Sequence, residues 1–145
     1  MPKSTTDSRS IQITEFAFNK IMSWAQATNE IVFLNAGRNG VIMDAFRLKN
    51  ISDKPKVLFE YCEKDESKLR KEIQSQGLNV IMGHSHPHKN SIRFPSKTDV
   101  RELPAGSLQM IVFPIEKKVG IWEFQKTYSE TLKNCCSVEI ISTAK

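Results

Sequence analysis

The segment Leu78–Met82, apolar except for Asn79, runs straight into Gly83-His84-Ser85-His86-Pro87. A short apolar run of this kind is consistent with a buried strand. In an extended chain, residues two apart point to the same side. His84 and His86 can therefore reach one metal ion together, and Pro87 favours an extended backbone at His86 itself. A catalytic zinc centre takes three protein ligands and keeps a place for water. The third ligand expected here is Asp99, presented from the first turn of a helix that Ser96 opens in Pro95-Ser96-Lys97-Thr98-Asp99. Ser-x-x-Asp is also an ordinary capping box that needs no metal, and capping and ligation are compatible in one carboxylate. Ser96 also lies where the free N–H groups of a helix start and a hydroxyl can stabilise developing negative charge. His88 falls one residue past the proline, out of register with the pair, and reads as a loop residue near substrate.

The rest of the chain supplies a scaffold for that segment. At 145 residues and about 150 residues per domain, one domain is expected over 10–145, after a disordered lead at 1–9. Apolar residues make up 39% and charged residues 26%, which excludes a disordered chain and a membrane protein. The first ten residues lack an apolar signal core, so a cytoplasmic protein is expected. The net charge of +5 is spread along the chain and mixed with acids, unlike the clustered basic stripe of a nucleic-acid binder. Three cysteines, Cys62, Cys135 and Cys136, argue against a disulfide framework. Cys136 is expected to face inward in the last strand.

Periodicity orders the elements. Ser10–Thr14 is a short alternating run ending in a helix N-cap. Phe18, Ile21, Met22 and Ala25 form the stripe of an amphipathic helix, widened by Phe16, Ala17 and Trp24. Glu30–Leu34 starts a strand, Arg38-Asn39-Gly40 makes a hairpin turn, and Val41–Leu48 returns. Lys56–Tyr61 reads as a third strand. Asp65–Gln76 reads as a helix with Leu69 and Ile73 inward and Gly77 at its left-handed end. Leu108–Phe113, Val119–Phe124 and Ser137–Ser142 read as strands. Trp122, Phe124, Met22, Met43, Met82 and Met110 read as core. The order predicts an α/β (α+β) domain: a mixed, mostly antiparallel sheet packed with helices.

Gly-His-Ser-His-Pro followed by Pro-Ser-x-x-Asp resembles the JAMM motif of the MPN+ (Mov34/PAD-1, JAB1-type) zinc metalloproteases. The resemblance spans Ile11 to Phe124 and looks most like the prokaryotic stand-alone branch. It implies an MPN/cytidine-deaminase-like fold, a zinc ion on His84, His86 and Asp99, Glu30 as general acid/base, and Ser96 as the hydroxyl beside the tetrahedral intermediate. Two departures stand out. Pro87–Thr98 spans twelve residues, two more than the family pattern, which lengthens the loop before an intact Pro-Ser-x-x-Asp. Phe33 stands where the family often has a small residue beside the glutamate.

The activity so implied is zinc-dependent hydrolysis of an amide or isopeptide bond by metal-activated water. The substrate is a ubiquitin-like modifier, cleaved from its precursor or from conjugated lysines. The setting is a bacterial ubiquitin-like conjugation system of the antiviral kind, beside activating (E1-like) and conjugating (E2-like) enzymes. The substrate's extended C-terminal tail is expected to add as a strand to an exposed edge. Alternatives are a non-catalytic MPN scaffold that pairs with another protein, a peptidase that processes sulfur-carrier proteins, and a related DNA-repair fold. That last fold carries Asn between the histidines, where this chain has Ser85. No nucleic acid and no membrane are expected as partners, and oligomeric state is left open.

Overall fold

The computed structural model describes residues 10–56, 58–87 and 94–142. The lead at 1–9, His88 and the inserted part of the site loop lie outside the described residues. In chain order the elements are β1 (Ser10–Thr14), α1 (Glu15–Ala25), β2 (Val32–Arg38), β3 (Val41–Leu48), α2 (Glu63–Ser75), β4 (Asn79–Ser85), α3 (Lys97–Glu102), β5 (Leu108–Phe113), β6 (Lys118–Glu123), α4 (Tyr128–Lys133) and β7 (Cys135–Ile141).

The architecture corrects the expected one. The strands form a closed barrel in the order β1-β3-β2-β4-β5-β6-β7, not an α/β sheet packed with helices. β1 closes it by pairing in parallel on both sides. Gln12 and Ile13 meet Val41 and Ile42 of β3, and Ser10–Thr14 runs beside Ser137–Ile141 of β7. A strand paired on both edges removes the open edges of a sheet. With β4–β5 also parallel, the ladder is mixed, and its four other pairings are antiparallel. The helices are few, and α3 and α4 have six residues each.

Local chemistry explains most boundaries. Thr14 accepts the Ala17 N–H at 3.2 Å and starts α1. Asn39 (φ 56°) and Gly40 (φ 79°) make the β2–β3 turn in the left-handed region. The expected strand at Lys56–Tyr61 is not one. Val57 lies outside the described residues, and Leu58–Tyr61 is an irregular strap. Its backbone is held by the preceding loop, two bonds of it through one side chain: Asn50 Nδ2 donates to Leu58 O at 3.0 Å, and Asn50 Oδ1 accepts from Glu60 N at 3.1 Å, while Leu58 N–H donates to Lys54 O and Glu60 O accepts from Ile51 N–H. α4 was not foreseen, although Thr127-x-x-Glu130 carries a capping signal. Thr127 Oγ1 accepts the Glu130 N–H at 3.2 Å.

β2 decides where the core sits. It is buried on both faces from Val32 to Gly37. Phe33 packs with Ile21 and Ala25 of α1 and with Met110, while Val32, Leu34 and Ala36 pack with Ile73 of α2 and with Met82. Ile111, Phe113, Trp122 and Phe124 form a third cluster with Val100 and Leu103 beside α3. Cys136 is buried as expected, whereas Phe16 and Met43, read as apolar filling, are exposed. The Phe33 ring lies over Gly83. A Cβ at Gly83 would meet that ring at 2.5 Å, so the large residue in β2 and the glycine before His84 fit each other. No helix among the described residues is long and apolar enough to cross a membrane.

Candidate metal centre

β4 carries two of the three candidate ligands. His84 lies between two partner strands, opposite Val32 of β2 and Ile111 of β5, and is fully buried. His86 follows the end of β4, but its N–H still donates to Val112 O at 2.8 Å. The β4–β5 pairing thus holds the backbone extended one step further, and the two imidazoles face one space with centroids 5.1 Å apart.

Asp99 comes from α3. Ser96 caps that helix: its Oγ accepts the Asp99 N–H at 2.9 Å, and its own N–H donates to Asp99 Oδ2 at 2.9 Å. The capping box and the ligand position therefore coexist in one carboxylate. Asp99 Oδ1 lies 3.3 Å from His84 Nε2, and Asp99 Oδ2 lies 3.2 Å from His86 Nε2. One ligand atom from each of the three residues falls within 4.8 Å of the others.

The protonation states suit a cation. Burial lowers the His84 pKa, against the upward pull of Asp99, which favours the neutral imidazole that a metal requires. Burial works to raise Asp99, but the adjoining His84 and His86 imidazoles outweigh it and hold the carboxyl well below the usual range. His84 Nε2 is buried without a hydrogen-bond partner among the described residues. Two imidazoles and a carboxylate, one imidazole nitrogen unpaired and facing the others, fit a divalent metal ion.

Glu30 and Ser96 line the same open cavity, of about 730 Å³, as Asp99, with Phe59, Tyr61 and Arg101 on its walls. Glu30 precedes β2. Its N–H donates to Pro55 O at 2.7 Å and its carbonyl accepts from Asn50 Nδ2 at 2.8 Å. Burial first, and the nearby Asp99 charge second, push its carboxyl up to about 8. A carboxylate so tuned can take and return a proton near neutral pH. All five residues expected at the site thus meet at one end of the barrel. Phe59, Tyr61 and Asn50 went unforeseen. Their signal was a Phe-x-Tyr pair after an Asn-bearing loop, read as a strand.

No protein-family model and no curated protein matches this chain. Solved structures do resemble it, among them two that cover most of its length. The solution structure of a protein from Desulfitobacterium hafniense has a TM-score of 0.70 at 20% identity, covering 93% of this chain and 94% of its own. A JAB1/MPN domain protein from Archaeoglobus fulgidus has a TM-score of 0.52 at 16% identity, covering 90% of this chain and 96% of its own. At these identities the likeness is one of fold. This chain is thus a barrel protein with an MPN-like fold, carrying a buried His-His-Asp cluster able to hold a metal ion.

Proposed function

We propose that this chain is a JAMM-type zinc metalloprotease, an isopeptidase or peptidase acting on a ubiquitin-like modifier. The observation that carries the reading is the convergence of His84, His86 and Asp99 beside a cavity lined by Glu30 and Ser96. His84, His86 and Asp99 would hold a divalent ion, which would supply Lewis acidity and make water a better nucleophile at neutral pH. Glu30 accepts a proton from the attacking water and returns it to the departing amine. The Ser96 Oγ uses a lone pair on the Asp99 N–H, which leaves its O–H to donate to an oxyanion formed in the cavity. Burial of His84 and His86 keeps bulk water from the ligand side of the site. None of the cysteines takes part.

The substrate proposed is the extended C-terminal tail of the modifier, joined to a lysine or to the remainder of a precursor and laid in the cavity lined by Glu30 and Ser96; the closed barrel leaves no open sheet edge among the described strands for the strand addition expected from the sequence. Activating and conjugating enzymes of the same cytoplasmic system are the proposed partners.

Zinc content and cleavage of a panel of ubiquitin-like fusions test this reading. About one zinc per chain, lost in His84→Ala and Asp99→Ala, with cleavage lost alongside, is expected. A protein that takes up no zinc at neutral pH overturns it in favour of a non-catalytic scaffold. Zinc retained without cleavage of any fusion removes the modifier peptidase and leaves a metal site.

A further inference from the structure

His84 differs from His86 in what holds its ring. Its Nε2 faces Asp99, so Nδ1 is turned away from the centre. That nitrogen is buried with no hydrogen-bond partner among the described residues. A metal-bound histidine usually donates its second ring N–H to a carboxylate, a carbonyl or water, which fixes its tautomer and orientation. The side chain that stacks on His84 is Phe59. The two rings lie 4.5 Å apart between centroids and 26° from parallel. His86 instead meets Phe113 edge-on, at 5.6 Å and 80°.

Phe59 is itself held in place. Asn50 bonds the backbone on either side of it, at Leu58 O and Glu60 N. Tyr61 lies behind it, with centroids 6.5 Å apart and 15° between the planes. The same Asn50 amide takes the Glu30 carbonyl, so one side chain ties the strap to the segment that presents the proposed acid/base. The strap is therefore a fixed wall of the site.

We propose that Phe59 is the positioning residue for His84: its ring face holds the imidazole in the orientation that a hydrogen-bonded partner sets at other metal-bound histidines. The inference rests on the metal-centre reading above. It makes the flat aromatic face the property that matters, beyond apolar volume.

The test uses the full chain and its Phe59→Ala, Phe59→Leu and Phe59→Tyr variants. Zn²⁺ affinity is measured by competition with a chromophoric chelator, and the Co²⁺-substituted proteins are compared by visible absorption. Ala and Leu are expected to weaken Zn²⁺ about 10–100-fold, the usual effect of losing an outer partner of a ligand, and to alter the Co²⁺ bands. Tyr keeps the face, its added hydroxyl can reach the open cavity, and it is expected to restore both. Thermal unfolding of the metal-free proteins shows whether a variant has lost its fold, and the apolar Leu variant guards against that outcome. Wild-type affinity and spectrum in Phe59→Leu overturn the inference while leaving the metal centre intact. A wild-type protein that binds neither Zn²⁺ nor Co²⁺ overturns the metal centre, and the inference with it.

Discussion

Ser85 and Ile31 are joined twice. The Ser85 Oγ accepts the Ile31 N–H at 2.9 Å, and the Ser85 N–H donates to the Ile31 carbonyl at 3.1 Å. Ser85 separates the two candidate histidine ligands, and Ile31 follows the candidate acid/base. One residue pair therefore sets the distance between the metal ligands and Glu30. Ser85→Ala leaves a buried N–H without its acceptor, which costs about 1–3 kcal/mol. Urea unfolding should show that loss. Turnover should fall further than zinc affinity, because both histidines keep their strand. Equal losses in both would show that Ser85 supports the ligands alone.

Glu30→Gln should keep zinc and abolish turnover, since the amide retains the shape but cannot carry the proton. Stability of the metal-free protein gives a second reading. The folded carboxyl sits near 8 against an ordinary 4.5, so between these values the folded state holds a proton that the unfolded chain releases. The stability from this group is complete below pH 4.5, declines as pH rises, and is gone above about pH 8. Glu30→Gln should flatten that decline. Urea midpoints measured across the window check it, and an unchanged slope would place the titration elsewhere.

Ser96 has two roles that substitution can separate. Ser96→Ala should cost about 1 kcal/mol through loss of the cap and slow turnover about 10²-fold through loss of an oxyanion donor. Ser96→Asn should recover the cap without the rate. Ser96→Thr should recover both. Full activity in Ser96→Asn would reduce Ser96 to a helix cap.

Gly83→Ala should destabilise the barrel, because the added carbon would meet the Phe33 ring at 2.5 Å and Met110 Cβ at 3.2 Å. Overpacking of this kind costs about 1–3 kcal/mol. The double variant Gly83→Ala/Phe33→Leu should regain part of the loss. If the two changes simply add in urea unfolding, the ring and the glycine are not coupled.

Much of this molecule could be read from its residues in order. The ligand geometry is local: strand alternation puts His84 and His86 on one side, and Ser96-x-x-Asp99 makes its own capping box. The left-handed turns at Asn39-Gly40 and Gly77 are likewise set by the residues that occupy them. The stripe of α1 gave the right helix but too wide a buried face, since Phe16 stays in solvent.

What local pattern could not decide was closure and the strap. β1 has five residues, and its partners Ser137–Ile141 lie at the other end of the chain. Hydrophobic alternation marks a strand but carries no record of its neighbours, so the same strands served equally well for an open sheet. Leu58–Tyr61 has the composition of a strand, yet Asn50 captures the backbone groups that a ladder would use. The stacking of Phe59 on His84 follows from that capture. Which residues could ligate a metal was written in short-range spacing; bringing Asp99, Glu30 and Phe59 to them required long-range pairing, whose partners only the folded chain selects.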